Sequence, residues 1–246
     1  LVCDRERDIQ AFVPEEYWYL FARLLGPAPP EFDARLVRVE GRPAKVTSGE
    51  EASAHVAALD GQRFVVSSVA AKERRKHAAP PFITSKLQQT ARFPVKKTMM
   101  IAQQLYEGIE LPGEDGPVGL ITYMRTDSTR VSAQALDEAR EVVGGRFGAE
   151  YLPEKPNVYK TKAGAQDAHE AIRPTSVLRD PDSLRPYLAP DQCSLCRLIW
   201  NRFVASQMTP AVFDETTVDI TAGDYVFRVK GSVLRFAGWM AAYGSG

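Results

Sequence analysis

The hydrophobic period of this chain changes twice, and that constrains its fold more than any other feature. From about Ile83 to Gln207 apolar residues recur every three to four positions, and on both sides of that stretch they alternate. Two strand-patterned ends around a helix-patterned middle predict an α+β, multidomain fold. A β-rich domain, discontinuous in sequence, carries an inserted α-helical domain. The expected bounds are 13–81 for the first part of the β domain, 82–208 for the helical insertion and 209–246 for the return. Residues 1–12 read as the tail of a helix that starts earlier.

Local signals fill in the elements. "YWYLFARLL", "EFDARLVRV" and "RFVVSSV" are rich in aromatic and branched residues and read as strands. One short helix lies among them, with Ser48 and Glu51 at capping-box spacing and Gly61 as its stop. Near the far end, "VFDETTVDIT" and "YVFRVKG" alternate. Tyr225, Phe227 and Val229 face one way and Arg228 and Lys230 the other. In the middle, Thr84 is placed to cap "SKLQQTARF", and Pro94 and Gly108 bracket "VKKTMMIAQQLYE". Ser132 is placed to cap "AQALDEAREVV", with Leu136, Ala139 and Val143 on one face and Gly144–Gly145 at its end. "DQCSLCRLIWNRFVASQM" puts Leu195, Ile199 and Phe203 on one stripe, backed by Cys196 and Trp200.

With 246 residues the chain can bury a sizeable core without disulfides. Three cysteines are too few for a disulfide framework and fit a reducing, cytoplasmic setting. No apolar run reaches the roughly 18 residues of a membrane span, and no signal peptide is evident. The first residues, "LVCDRERDIQAF", and the last, "GSG", suggest a piece of something larger. Formal net charge is zero, so any nucleic-acid partner must be recognised by local clusters rather than by overall charge.

The first such cluster is "GLITYMRTDS". A short apolar run ends in Tyr123, Arg125 and Asp127 at alternate positions. A phenol, with a pKa of about 10, attacks poorly at neutral pH unless its anion is stabilised. In an extended segment i and i+2 share a side, so Arg125 can serve Tyr123. A guanidinium stays charged and grips phosphate in a fork. The pair suits attack on a phosphodiester, with Asp127 orienting Arg125 and Thr126 or Ser128 binding phosphate or capping the next element. The plainer alternative is a core aromatic beside a surface ion pair.

The second cluster is "AHEAIRP". Read as a helical turn, it makes His169 and Arg173 i, i+4 neighbours, a phosphate clamp in which His169 can also pass a proton. The alternative is an ordinary helix start with a surface ion pair. The third is a basic run from Lys72 to Lys97. Lys96 and Lys97 fall in the first turn of a helix, where the macrodipole disfavours cations and a bound anion would relieve the conflict. A solvated face is the alternative. Cys193 and Cys196 form a lone CxxC inside an amphipathic helix and read as buried thiols. No metal site is expected in the chain. "DRERD" fans its acids apart, and His55, His77 and His169 are scattered.

These clusters, in this order, resemble the type IA DNA topoisomerases of bacteria, and the resemblance runs along nearly the whole chain. "RERDIQAFVPEEYW" is similar to the passage from that family's DNA-binding domain into its β arch. "PPFITSKLQQTA" and "VKKTMMIAQQLYEG" are similar to the helices before its active site. "LITYMRTDST" and "QDAHEAIRPT" match its active-site motifs, and "LIWNRFVASQMTPAVFD" resembles the return to the arch. The resemblance implies that Tyr123 is the nucleophile, joining a 5′ phosphate of single-stranded DNA. Arg125 would position the phosphate, with Asp127, His169 and Arg173 in support and Lys96 and Lys97 binding DNA. It implies a gate through which another strand passes, relaxation of negatively supercoiled DNA without ATP, and a bacterial, nucleoid-associated setting. Two departures stand out. The stretch from Gln89 to Val95 is short for the family. The acidic domain that holds Mg²⁺ is missing, as is most of the domain that grips single-stranded DNA. Asp180-x-Asp182 is only a partial imitation of the metal motif, so the chain alone is expected to be catalytically incomplete. A different tyrosine-dependent strand-transfer enzyme, a non-catalytic DNA-binding module and a structural arch are the alternatives.

Overall fold

The computed structural model describes residues 1–159 and 169–244. It is a mixed α/β structure with two compact units. The first comprises Leu1–Glu73 and Asp214–Val233, the second Arg74–Phe213 and Leu234–Gly246.

The chain opens with helix α1 (Val2–Ala11), which buries none of its residues. Strands β1 (Phe21–Leu24), β2 (Phe32–Val39) and β3 (Arg42–Pro43) follow, then helix α2 (Gly49–Leu59) and strand β4 (Val65–Lys76). Near the end come β5 (Ala211–Ala222) and β6 (Tyr225–Phe236). The sheet order is β1-β2-β6-β5-β4, with β3 paired to β2. Pairing of β2 with β1, β3 and β6 is antiparallel. Glu40 and Gly41, both at positive φ, make the tight turn between β2 and β3. A register shift between Leu36 and Arg38 resets the alternation of β2. Val39 therefore joins Phe32, Ala34 and Leu36 on the core side. Tyr225, Phe227 and Val229 pack there as their alternation predicts, while Arg228 turns away to pair with Asp219 at 2.6 Å. The α2 cap also forms: Ser48 Oγ accepts from Glu51 N–H. The Glu51 carboxylate, however, takes the Thr47 N–H rather than that of Ser48.

The second unit holds the remaining helices: α3 (Thr84–Thr90), α4 (Val95–Glu107), α5 (Ala133–Arg146) and α6 (Pro190–Ser206). Helix α6 is the axle of this unit. Its Leu195, Cys196 and Ile199 enter a core with Leu87 of α3, Ile101 and Leu105 of α4 and Met124. Its Trp200, Phe203 and Val204 enter a second core with Ala135, Ala139 and Val143 of α5. The expected single stripe is therefore two faces, because α6 is covered on both sides. Two expected boundaries are corrected. Gly144 and Gly145 do not end α5, which runs on to Arg146. Thr84 does not cap α3, whose N-cap is Ile83 with no side-chain bond. Its hydroxyl is used elsewhere.

Candidate active site

Residues 119–128 form a non-helical segment in which burial alternates from Tyr123 to Ser128. Tyr123, Arg125 and Asp127 are exposed, while Met124, Thr126 and Ser128 are buried. The period-2 geometry of extended backbone follows from the sequence, since the apolar or small members are the ones that turn inward. Met124 is wholly buried among α3, α4 and α6. The hydroxyls of Thr126 and Ser128 also point inward. They accept the N–H groups of Ser128 and Arg130, respectively. They hold the local turn and are not offered to a phosphate, which corrects one expectation.

Two other extended pieces flank this segment. On one side Thr84 N–H donates to Thr126 O at 2.9 Å. The Thr84 hydroxyl lies 2.8 Å from Met124 O and accepts the Thr126 N–H at 2.8 Å. On the other side Thr122 N–H donates to Arg173 O at 2.9 Å. The Thr122 hydroxyl donates to Ala171 O at 2.7 Å and accepts the Arg173 N–H at 3.0 Å. Ile172 N–H in turn donates to Phe82 O. Three buried chain segments are thus joined edge to edge, and the exposed side chains stand on a firmly tied backbone.

From His169 on, the "AHEAIRP" stretch is therefore not a helical turn. His169 to Pro174 is extended, with bridges Phe82–Ile172 and Ile121–Pro174. The i, i+4 relation of His169 and Arg173 does not exist. Backbone pairing with the 119–128 segment outweighs the weak helical preference of these seven residues. Arg173 is largely buried and occupied: its guanidinium binds Glu170 at 2.7 Å and Pro174 O at 2.8 Å. It ties its own segment down rather than reaching outward. His169 is half-buried and makes no hydrogen bond among the described residues. Its neighbours Lys160 to Ala168 lie outside the described residues.

The Tyr123 ring is 47% exposed and meets Tyr106, in the last turn of α4, at 5.4 Å in an edge-to-face contact. Gly119 lets the segment approach that turn, for a Cβ there would lie 2.8 Å from Tyr106 O. Among the described residues Arg125 has no hydrogen bond or ion pair, and Asp127 does not pair with it. The expected orienting role of Asp127 thus has no contact behind it.

Lys96 and Lys97 begin α4, whereas Tyr106 ends it, about 15 Å further along the axis at 1.5 Å per residue. Lys97 binds the Asp191 carboxylate at 2.6 Å, so a protein anion relieves the dipole conflict there. Lys96 is exposed and makes no ion pair among the described residues. Lys72 pairs with Glu215 and Lys86 with Gln89, so much of the basic run is engaged.

Of the CxxC, Cys196 is a buried core thiol that burial pushes up to about 12, whereas Cys193 is only partly buried. Among the described residues no three His, Cys, Asp or Glu side chains converge as metal ligands. Asp180 Oδ1 accepts from Asp182 and Ser183 N–H, and Asp182 pairs with Arg197. Sequence reasoning missed Thr84 and Thr122. The pattern gave the Thr84 hydroxyl the job of a helix cap, and at Thr122, in an apolar strand context, it reported only β propensity.

Comparison with known proteins sets this geometry in a family. The chain is 45% identical over its whole length to "DNA topoisomerase 1" of Xylella fastidiosa strain 9a5c, and equally to that of strain Temecula1. It spans 31% of the length of each. The solved structure of full-length topoisomerase I from Thermotoga maritima overlays with a TM-score of 0.77 at 36% identity, covering all of this chain and 39% of that one. No helix among the described residues is long and apolar enough to cross a membrane. The family profile described as DNA topoisomerase matches residues 1–246, and this chain belongs to that family, as its two tyrosine- and histidine-bearing motifs imply.

Proposed function

We propose that this chain is the central gate portion of a type IA DNA topoisomerase, in which an inserted helical domain presents Tyr123 as the nucleophile. The observation that carries the reading is the alternation around Tyr123. The phenol and the guanidinium of Arg125 stand exposed, two residues apart, on a backbone tied along both edges. Family membership supplies the reaction class.

The Tyr123 oxygen attacks a backbone phosphorus of single-stranded DNA. The phenol gives up its proton as the new P–O bond to tyrosine forms, the bond to the 3′ oxygen breaks, and that oxygen takes up a proton to leave as a 3′ hydroxyl. Arg125 steadies the charge that builds on the phosphoryl oxygens. Bond count is conserved, so resealing is the reverse step and needs no ATP. His169 would serve the proton transfer and exposed Lys96 would meet a DNA phosphate, while Asp127 stands exposed beside Arg125 in a supporting place. Arg173 acts by holding the 169–174 segment. The partners are a cleaved single strand, a passing strand and the remaining domains of the same enzyme, in the bacterial cytoplasm at the nucleoid. Mg²⁺, where the reaction uses it, would be held by acids of those other domains; among the described residues no three potential ligands converge. No step above is routed through it.

The test is covalent trapping. The chain is set into the Xylella fastidiosa enzyme in place of its matching 31% and mixed with end-labelled single-stranded DNA and Mg²⁺. A denaturant-resistant adduct that disappears in Tyr123→Phe is expected. An adduct that survives Tyr123→Phe sinks the assignment. An adduct from the isolated chain sinks the claim that it is incomplete.

A further inference from the structure

We infer that Thr84 is a positioning residue for Arg125, acting through the backbone; this rests on the proposed role of Arg125 as the phosphate-binding cation. Residue 125 hangs between two rigid peptide planes. The Met124 carbonyl belongs to the first plane and the Thr126 N–H to the second. A single oxygen, Thr84 Oγ1, sits 2.8 Å from both groups, donating its proton to Met124 O and accepting from Thr126 N–H. It is also 3.0 Å from Thr126 O, but a hydroxyl has one proton and serves one carbonyl at a time. Thr84 N–H satisfies Thr126 O at 2.9 Å in any case. One residue thus pins both planes that flank Arg125 and so fixes its φ and ψ.

Two further observations give this weight. The Thr84 hydroxyl does nothing for its own helix, because α3 is capped at Ile83 and no helix N–H uses it. Helix formation therefore does not explain a hydroxyl at this position. The Arg125 guanidinium is exposed and has no partner among the described residues. The peptide planes fix where its Cα–Cβ bond starts and points, and so the origin from which the side chain, with its own torsions, reaches a phosphate. The same device recurs next door: the Thr122 hydroxyl bridges Ala171 O and Arg173 N–H, pinning the planes that flank Ile172. There the pinned side chain is wholly buried in the core, whereas at Thr84 it is a cation facing solvent.

Two measurements test the inference. In the chain itself, Thr84→Val keeps the shape and removes the hydroxyl. The Thr126 amide is expected to exchange roughly tenfold faster, in line with loss of one hydrogen bond, with protection at the Thr122 amide unchanged. Equal loosening at Thr122 would mean the whole segment has slackened and would overturn the inference. In the Xylella chimera, Thr84→Val is expected to slow single-turnover cleavage by about 10- to 100-fold, the cost of a misplaced catalytic group. Thr84→Ser, which restores the hydroxyl, is expected to recover to within about threefold. In an Arg125→Ala background Thr84→Val is expected to change the rate by less than about twofold, since residues acting as one unit are not additive. The same fold loss in both backgrounds overturns the inference, because Thr84 would then act on something other than Arg125. Failure of the function reading shows separately, as an adduct that survives Tyr123→Phe, and the exchange measurement stands apart from it.

Discussion

Gly119→Ala is the substitution whose cost can be worked most directly from the backbone. An added Cβ at Gly119 would lie 2.8 Å from the carbonyl oxygen of Tyr106. Real Cβ atoms do not approach an oxygen so closely, and the obstacle is backbone, which cannot swing aside. Leu120 N–H donates to Leu105 O at 2.7 Å, and Thr175 Oγ1 donates to Gly119 O at 2.7 Å, so the segment is held from both sides while it is pushed. Overpacking of this kind costs about 2 kcal/mol. At roughly 2–4 °C per kcal/mol for a chain of this size, the melting transition of the second unit should fall by about 4–8 °C. Differential scanning calorimetry reads it directly. Gly145→Ala is the matched control: Gly145 lies in α5 with open space where its Cβ would go. That change should stabilise by about 0.5 kcal/mol through loss of unfolded-state freedom. The clash also falls where Tyr106 meets Tyr123, so the chimera carrying Gly119→Ala should lose adduct before it loses fold. A Gly119→Ala chain that melts within about 1 °C of the parent would show that the end of α4 yields freely. The argument that this turn holds Tyr123 would then be wrong.

Other expectations rest on single contacts. Ile199→Ala, at a wholly buried position in α6, should cost about 3 kcal/mol by urea denaturation. Thr122→Val leaves the Arg173 N–H and Ala171 O without their partner and should cost about 1–3 kcal/mol in the same assay. The hydrogen bonds from Arg228 hold the Asp219 carboxyl below the usual range. With the folded value depressed, the pair stabilises fully above the unfolded carboxylate value of about 3.9 and is lost as pH falls through the folded value. Asp219→Asn should therefore cost about 0.5–1 kcal/mol at pH 7 and nearly nothing in strong acid, read from pH-dependent melting of the first unit. At pH 8 a thiol reagent should modify exposed Cys3 readily and leave Cys196 untouched until the chain unfolds.

The parts of this structure that are legible in the sequence are those governed by side-chain period. Tyr225, Phe227 and Val229 share a face because a strand alternates, and Tyr123, Arg125 and Asp127 share one for the same reason. The buried positions of α6 are legible because a helix repeats every 3.6 residues, although its second core is not, since period does not say how many neighbours a helix has. Inference fails where it assigns a polar group to the nearest local job. By spacing, Thr84 is a helix cap and Arg173 the second arm of an i, i+4 clamp. In each case a distant segment offers a better use. The Met124 and Thr126 peptides, forty residues from Thr84, need partners in a buried place, and an unpaired buried amide costs more than an absent cap gains. Likewise the 169–174 segment pairs with 121–122 because two buried extended backbones satisfy each other, and the helical pair that its spacing suggests is worth only tenths of a kcal/mol. The candidate site is thus readable in its exposed side chains and unreadable in what aims them. The exposed groups announce their chemistry by type and spacing. The groups that hold them are ordinary threonines, distinguished only by which backbone they meet, and that information is long-range.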